Sequence, residues 1–333
     1  MDILLETMKT ASRRLRGLCL AALLLLPAFF PGADAAAAGT ADDAKRPWSV
    51  EARLKRHFGS HSSYEFGNPF EPFQAPLSRL EFPMNVWWAG AELRRSFSRF
   101  SAGLEVLRSL SEHSDGDMED SDWDDEGRPD LKTIYSHSSC RMETSFMVRA
   151  DLDMSVADWL GLPAWFDLRP VVGIRWQDLE FTTHDGIQYD LGGGGPPDPL
   201  PGNGIRFNQI YWHYFAGLKA AYDLQRHTGA APVLFFGQLD LSYTVGHNSD
   251  RHLLRPGNRW TFEDTRGHAW RASAGFKVAL DHGLRAGLEL EYLRVETSGS
   301  HRMEVFDISY GFDHGVKVWS EQKSLMLSLE YRF

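Results

Sequence analysis

The last ten residues, SLMLSLEYRF, constrain the fold most. Leu325, Leu327, Leu329, Tyr331 and Phe333 share one parity, while Ser324, Ser328, Glu330 and Arg332 share the other with Met326. Successive side chains of extended backbone point to opposite faces, so the chain ends in a strand with one apolar and one largely polar face. The same alternation recurs in Trp48, Val50, Ala52 and Leu54 and again in Leu80, Phe82, Met84, Val86 and Trp88, and no long stretch carries a 3.6-residue period. Ten strands are predicted. After the two just named, the third reaches Leu110 and the fourth lies between Lys132 and Met154. The rest run over Asp167–Thr183, Asn208–Leu224, Val233–Val245, Arg266–Leu280, Leu284–Val295 and Ser324–Phe333. The glycine- and proline-rich Leu191–Gly204 is expected to hold no regular structure.

The N-terminus bears on compartment. Lys9, Arg13, Arg14 and Arg16 precede an apolar run from Gly17 to Phe30, and Ala33-Asp34-Ala35 offers a small-x-small cleavage site. That run is shorter than the roughly 20 residues of a transmembrane helix, so residues 1–35 read as a removed secretory signal, followed by a polar linker over 36–46. Cleavage removes four basic residues and the acidic Asp2, Glu6 and Asp34, taking the formal charge from −10 to −11. Nucleic acid is not an expected partner of so acidic a chain. The mature chain keeps one cysteine, Cys140, and so has no internal disulfide. An exported chain of ten alternating strands, with short turns and long polar loops taking turns, predicts an all-β fold: a ten-stranded antiparallel transmembrane barrel of the outer membrane, over residues 47–333. A soluble sandwich or secreted barrel is the alternative.

Two polar pairs carry the chemistry. In DMEDSDW, Asp120 and Asp122 lie two residues apart and share a face, with Ser121 turned away; like charges that close raise a pKa and share a proton or a water. In NSDRH, Asp250 and His252 repeat the spacing. The loops after strands three and seven emerge on the same rim, four strands apart in a ring of ten, so the pairs face each other across the mouth. Histidine suits a general base because its pKa lies near ambient pH and a carboxylate tunes it. The bland reading is a solvated acidic loop and an incidental histidine. Calcium of the EF-hand kind is excluded, because no glycine stands sixth from Asp115, Asp117 or Asp120, and no metal is expected.

Met118–Trp123 resembles the paired-aspartate motif of the omptin family of outer-membrane endopeptidases, and Asp250-Arg251-His252 resembles its Asp-x-His couple. Ser78-Arg79-Leu80-Glu81-Phe82 is similar to the start of the family's second strand, and Asp125–Asp130 to its acidic loop exit. The resemblance implies a water held between the pairs, with no covalent intermediate. His252 would be the base, Asp250 its orienting partner, Asp120 the group that positions the water, and Asp122 the sharer of charge or proton. It also implies cleavage at basic residues of cationic peptides through acids in a deep pocket. Glu65 aligns with one of those acids and Asn248 with the other, so one carboxylate is kept and one replaced by an amide, which favours arginine over lysine. Lipopolysaccharide is implied as an activating lipid, though no residue can be assigned to it, and the site is expected to face the exterior of a Gram-negative cell. The Asp158–Phe166 insert and the His184–Phe207 loop depart from the family plan. Two rivals remain: a non-enzymatic pore or adhesin, and a lipid hydrolase, for which only Ser249 flanks His252.

Overall fold

The computed structural model describes residues 46–333 apart from 69, 72, 111 and 112, so the signal and nearly all of the linker lie outside the described residues. Fourteen strand segments make ten traverses. Four traverses are broken at mid-height: β1 (Trp48–His57) with β2 (His61–Phe66), β3 (Ser78–Pro83) with β4 (Trp87–Phe97), β5 (Phe100–Ser109) with β6 (His113–Asp122), and β7 (Ile134–Met142) with β8 (Phe146–Met154). Six run through: β9 (Phe166–Asp190), β10 (Asp198–Asp223), β11 (Val233–His252), β12 (Trp260–Ala279), β13 (Leu284–Val305) and β14 (Ile308–Arg332).

All pairings are antiparallel, and they close twice. Near the termini the ring runs β1, β4, β5, β8, β9 and on to β14, which pairs back with β1 from Ser49↔Arg332 to His57↔Ser324. At the other end β2, β3, β6 and β7 bridge β14 to β9. Among the described residues no sheet edge is left open, as a membrane-spanning sheet requires. No helix among the described residues is long and apolar enough to cross a membrane.

Three of the four breaks reset which side chains face the lumen, while between β3 and β4 the buried residues stay even, from Phe82 to Trp88. In β5 the buried residues Ser101, Leu107 and Ser109 are odd-numbered, whereas in β6 Ser114 and Met118 are even and Ser121 is buried on the other face. The same switch separates Lys55 and His57 of β1 from Ser62 and Tyr64 of β2, and Met142 of β7 from Met147 of β8. Without the reset after Ser109, Asp120 and Asp122 would stand on the outer wall.

Outward-facing apolar residues form a belt on the half nearer the termini, including Leu152, Ile174, Leu218, Leu239, Leu241, Leu290, Leu327 and Leu329. Phe235 to Tyr243 of β11 spans it, close to the 9–11 tilted residues that a bilayer needs. Inside the belt the lumen is filled by ions. Arg94 meets Glu92, Asp151 and Asp153 at 2.7, 2.9 and 3.0 Å. Arg271 meets Glu289 and Glu291 at 3.0 and 2.5 Å. A cavity of about 690 Å³ opens among these groups on the side of the termini. Above them lies an aromatic floor, where Phe82 stacks on Phe207 at 4.6 Å and packs on Phe181 at 5.2 Å.

Leu191–Gly204 is more ordered than its composition predicts. β10 begins at Asp198 and pairs with β9 through two register shifts. Gly202 (φ 77°) supplies the left-handed backbone there, and its N–H donates to Asp185 Oδ1 at 2.9 Å. The Asp158–Phe166 insert is a turn at the terminus end, where Trp165 stacks on His227 at 4.3 Å.

Candidate active site

β6 delivers the carboxylate pair. Asp120 lies opposite Leu80 and Ser136, and Asp122 opposite Ser78 and Ile134, while Ser121 opposes Arg79 and turns to the other face. The hairpin neck is tied by Thr133 N–H donating to Asp122 O and Trp123 N–H donating to Leu77 O, both at 2.9 Å. Both aspartates therefore enter the lumen from a fixed backbone.

β11 delivers the couple from the opposite wall. Asp250 is 1 % exposed, and His252 Nε2 stands 2.9 Å from its Oδ2, a charge contact whose angles are not those of a hydrogen bond. Burial pushes the Asp120 carboxyl up to about 8, helped by the charge of Asp122 and, across the cleft, of Asp250; Arg255 and Arg259 act the other way. The four residues named from sequence thus meet in one electrostatic neighbourhood. With one proton shared by Asp120 and Asp122, they can hold a water and take a proton from it.

The two pocket residues part company. Asn248 faces the lumen, buried, with neither amide atom hydrogen-bonded. Glu65 does not. On β2 the even residues turn inward, since Tyr64 Oη donates to Glu263 Oε1 at 2.8 Å and Ser62 Oγ to Gln209 Oε1 at 2.7 Å. Glu65 is odd, and on the outer wall it accepts from Arg79 Nε and Nη2 at 2.9 and 2.6 Å, where the guanidinium also lies over Trp123 and Trp319. β2 ends at Phe66 and β3 begins at Ser78, so the alternation through Leu80 does not carry back to Glu65. Arg251 also turns outward, onto Trp260 and the Asn258 side chain.

The lumenal acid that takes Glu65's expected place is Glu263. It stands directly opposite Asn248 on β12 and is 2 % exposed. His301 Nδ1 is 3.0 Å from its Oε1, its Oε2 has no partner, and burial raises its pKa. The signal in the sequence was the alternation of Thr261, Glu263 and Thr265 with Phe262, Asp264 and Arg266, in a stretch assigned to a loop because strand eight was expected to start at Arg266.

Double closure, an apolar belt and a cleft of carboxylates facing an aspartate–histidine couple define a class: outer-membrane barrels equipped for hydrolysis. The sequence profile of the Omptin family matches residues 88–296, which include both pairs. That stretch is more than half of the chain, and the chain belongs to the Omptin family, a family of outer-membrane proteases of Gram-negative bacteria. Among solved structures, the outer membrane protease OmpT from Escherichia coli is similar with a TM-score of 0.76 at 14% identity, over 86% of this chain and 97% of that one. The translocator domain of the autotransporter NalP from Neisseria meningitidis, with a TM-score of 0.36 at 8% identity, covers 98% of this chain and 97% of that one. A search of curated proteins finds no match.

Proposed function

We propose that the protein is an endopeptidase that cleaves peptides at basic residues, arginine before lysine, using a water activated by Asp250 and His252 against Asp120 and Asp122. The observation that carries this reading is the Asp250–His252 contact at 2.9 Å, buried on the wall opposite a carboxyl that burial and its neighbours hold protonated up to about 8. The water sits between the walls and loses its proton to His252 as its oxygen attacks the scissile carbonyl carbon. Asp250 stabilises the imidazolium, and the proton passes to the leaving amine when the C–N bond breaks. No covalent intermediate is involved.

The preference for a basic side chain rests on Glu263. Its unpartnered Oε2 and the unpartnered amide of Asn248 line one rung of the lumen, where the planar fork of a guanidinium can bond to both with little ordering cost, whereas an ammonium is a strongly hydrated point charge that depends more on a second carboxylate. The active site faces the cell exterior in this reading, and lipopolysaccharide is the activating lipid.

Refolded protein, with and without lipopolysaccharide, is incubated with a peptide panel and the products read by mass spectrometry. His252→Ala and Asp120→Ala are expected to lower turnover roughly 10²–10⁴-fold while the barrel stays folded. Full activity in His252→Ala would leave the non-enzymatic pore or adhesin as the better reading. Glu263→Gln is expected to lower kcat/KM for arginine peptides ten- to a hundredfold, in line with the roughly 1.5–3 kcal/mol of a charged hydrogen bond. Glu65→Ala should leave specificity as it is. Cleavage indifferent to basic residues and to Glu263→Gln would sink the pocket while sparing the catalytic assignment.

A further inference from the structure

The reaction as proposed places an oxyanion among carboxylates. Asp120 and Asp122 share one proton and one negative charge, Asp250 carries another, and attack on the carbonyl adds a third. Something cationic other than the imidazolium has to meet it, because charge that develops in a desolvated cleft is stabilised chiefly by groups already in place.

The β11–β12 ladder supplies one. Its lumenal rungs are Asn248 with Glu263 and Asp250 with Thr261. The next rung upward is His252 with Arg259, joined by His252 N–H donating to Arg259 O at 3.1 Å. Thr261, Glu263 and Thr265 are the buried, lumenal parity of β12, and Arg259 shares it. Side chains directly opposite on adjacent strands stand about 4.5–5.5 Å apart at Cβ, so Arg259 and His252 rise side by side into the cleft. The Arg259 Nε is buried and unpartnered. Among the described residues no carboxylate lies within ion-pair distance of its guanidinium, although Asp250 and Asp122 both act on it through space. Of the other arginines here, Arg255 is exposed on the loop and Arg251 is turned outward onto Trp260.

We propose that Arg259 is a catalytic residue that donates N–H groups to the carbonyl oxygen of the scissile bond as that oxygen becomes an oxyanion. The inference rests on the peptidase reading above. As the water oxygen bonds to carbon, the carbonyl π pair moves onto oxygen beneath the guanidinium and the proton goes to His252. On collapse the pair returns, the C–N bond breaks, and the amine leaves with the proton from His252. Arg259 keeps its own protons throughout.

The test compares wild type, Arg259→Met, Arg259→Lys and His252→Ala on one arginine peptide, each checked for heat-modifiable migration as a folded barrel. Arg259→Met should lower kcat roughly 10²–10³-fold, the loss seen on removing one oxyanion donor, with KM changed only a few-fold, and Arg259→Lys should recover part of it. The acid limb of the kcat profile should move to higher pH in Arg259→Met, because the carboxylates lose a cationic neighbour. If His252→Ala abolishes cleavage but Arg259→Met keeps kcat within threefold, or raises KM alone, the inference is overturned and the peptidase reading stands. If wild type shows no cleavage that depends on His252, that reading fails and the inference falls with it.

Discussion

Asp120 is a carboxyl that keeps its proton in neutral solution, and this has a spectroscopic and a thermodynamic sign. Burial and the charges of Asp122 and Asp250 hold its pKa near 8. An infrared band of a protonated carboxyl should therefore persist at neutral pH, fade as pH passes about 8, and be absent in Asp120→Asn. In Asp122→Asn the band should fade at lower pH, since one of the charges that holds the proton is gone. The folded state binds this proton more tightly than the unfolded chain, whose aspartates titrate near 3.9. Stability is thus fullest below that value and is eroded as pH rises toward 8. Asp120→Asn should resist urea better than wild type at pH 8, with the advantage shrinking as pH falls toward 4. Turnover in wild type should fall on acidification, because one carboxylate must stay ionised and His252 neutral. The four residues proposed for catalysis were legible because their spacing puts each pair on one face and both pairs resemble the family's motifs. Glu263 and Arg259 were not, because their strand continues beyond the bilayer. There the outer face turns polar at Asp264 and Arg266, and the contrast between faces that marks a strand disappears.

At the level of the strand, alternation predicted ten traverses and the facing of the last one, with Leu327 and Leu329 on the outer wall. It did not predict the joints, since a reset of facing spends only three residues and leaves no gap in hydrophobicity. Asn85 holds the joints together. Its N–H donates to Ser114 Oγ at 3.0 Å and its Nδ2 to Asp115 O at 2.7 Å, while its Oδ1 accepts from Ser60 N–H at 3.0 Å. Three neighbouring traverses meet at that one side chain. Asn85→Ala keeps the backbone bond to Ser114 but strands Asp115 O and Ser60 N–H, and is expected to cost about 1–3 kcal/mol in urea unfolding, while the Asp250–His252 couple, on an unbroken strand, keeps its geometry.

Across the whole barrel, an aromatic floor and a layer of paired ions fill the lumen below the cleft. This filling disfavours the pore alternative, and planar-bilayer recordings should show no steady conductance. Arg271, shared among Asp240, Glu289 and Glu291, is the most economical place to break the layer. Arg271→Ala leaves buried Asp240 and half-buried Glu289 short of a cation and Glu291 with Lys55 alone, and should cost about 3–5 kcal/mol, read as a lower urea midpoint. The joints, finally, divide the molecule by what it tolerates. A residue inserted into an unbroken strand such as β11 sends every side chain beyond it to the opposite face, and would throw Asp250 and His252 onto the outer wall. A residue inserted at Phe58–Ser60 or at Glu143–Ser145 meets backbone between two strand segments, where the strict alternation is already interrupted, and can be absorbed there. The wall that carries the aspartate pair is therefore open to change in length, and the wall that carries the histidine is closed to it.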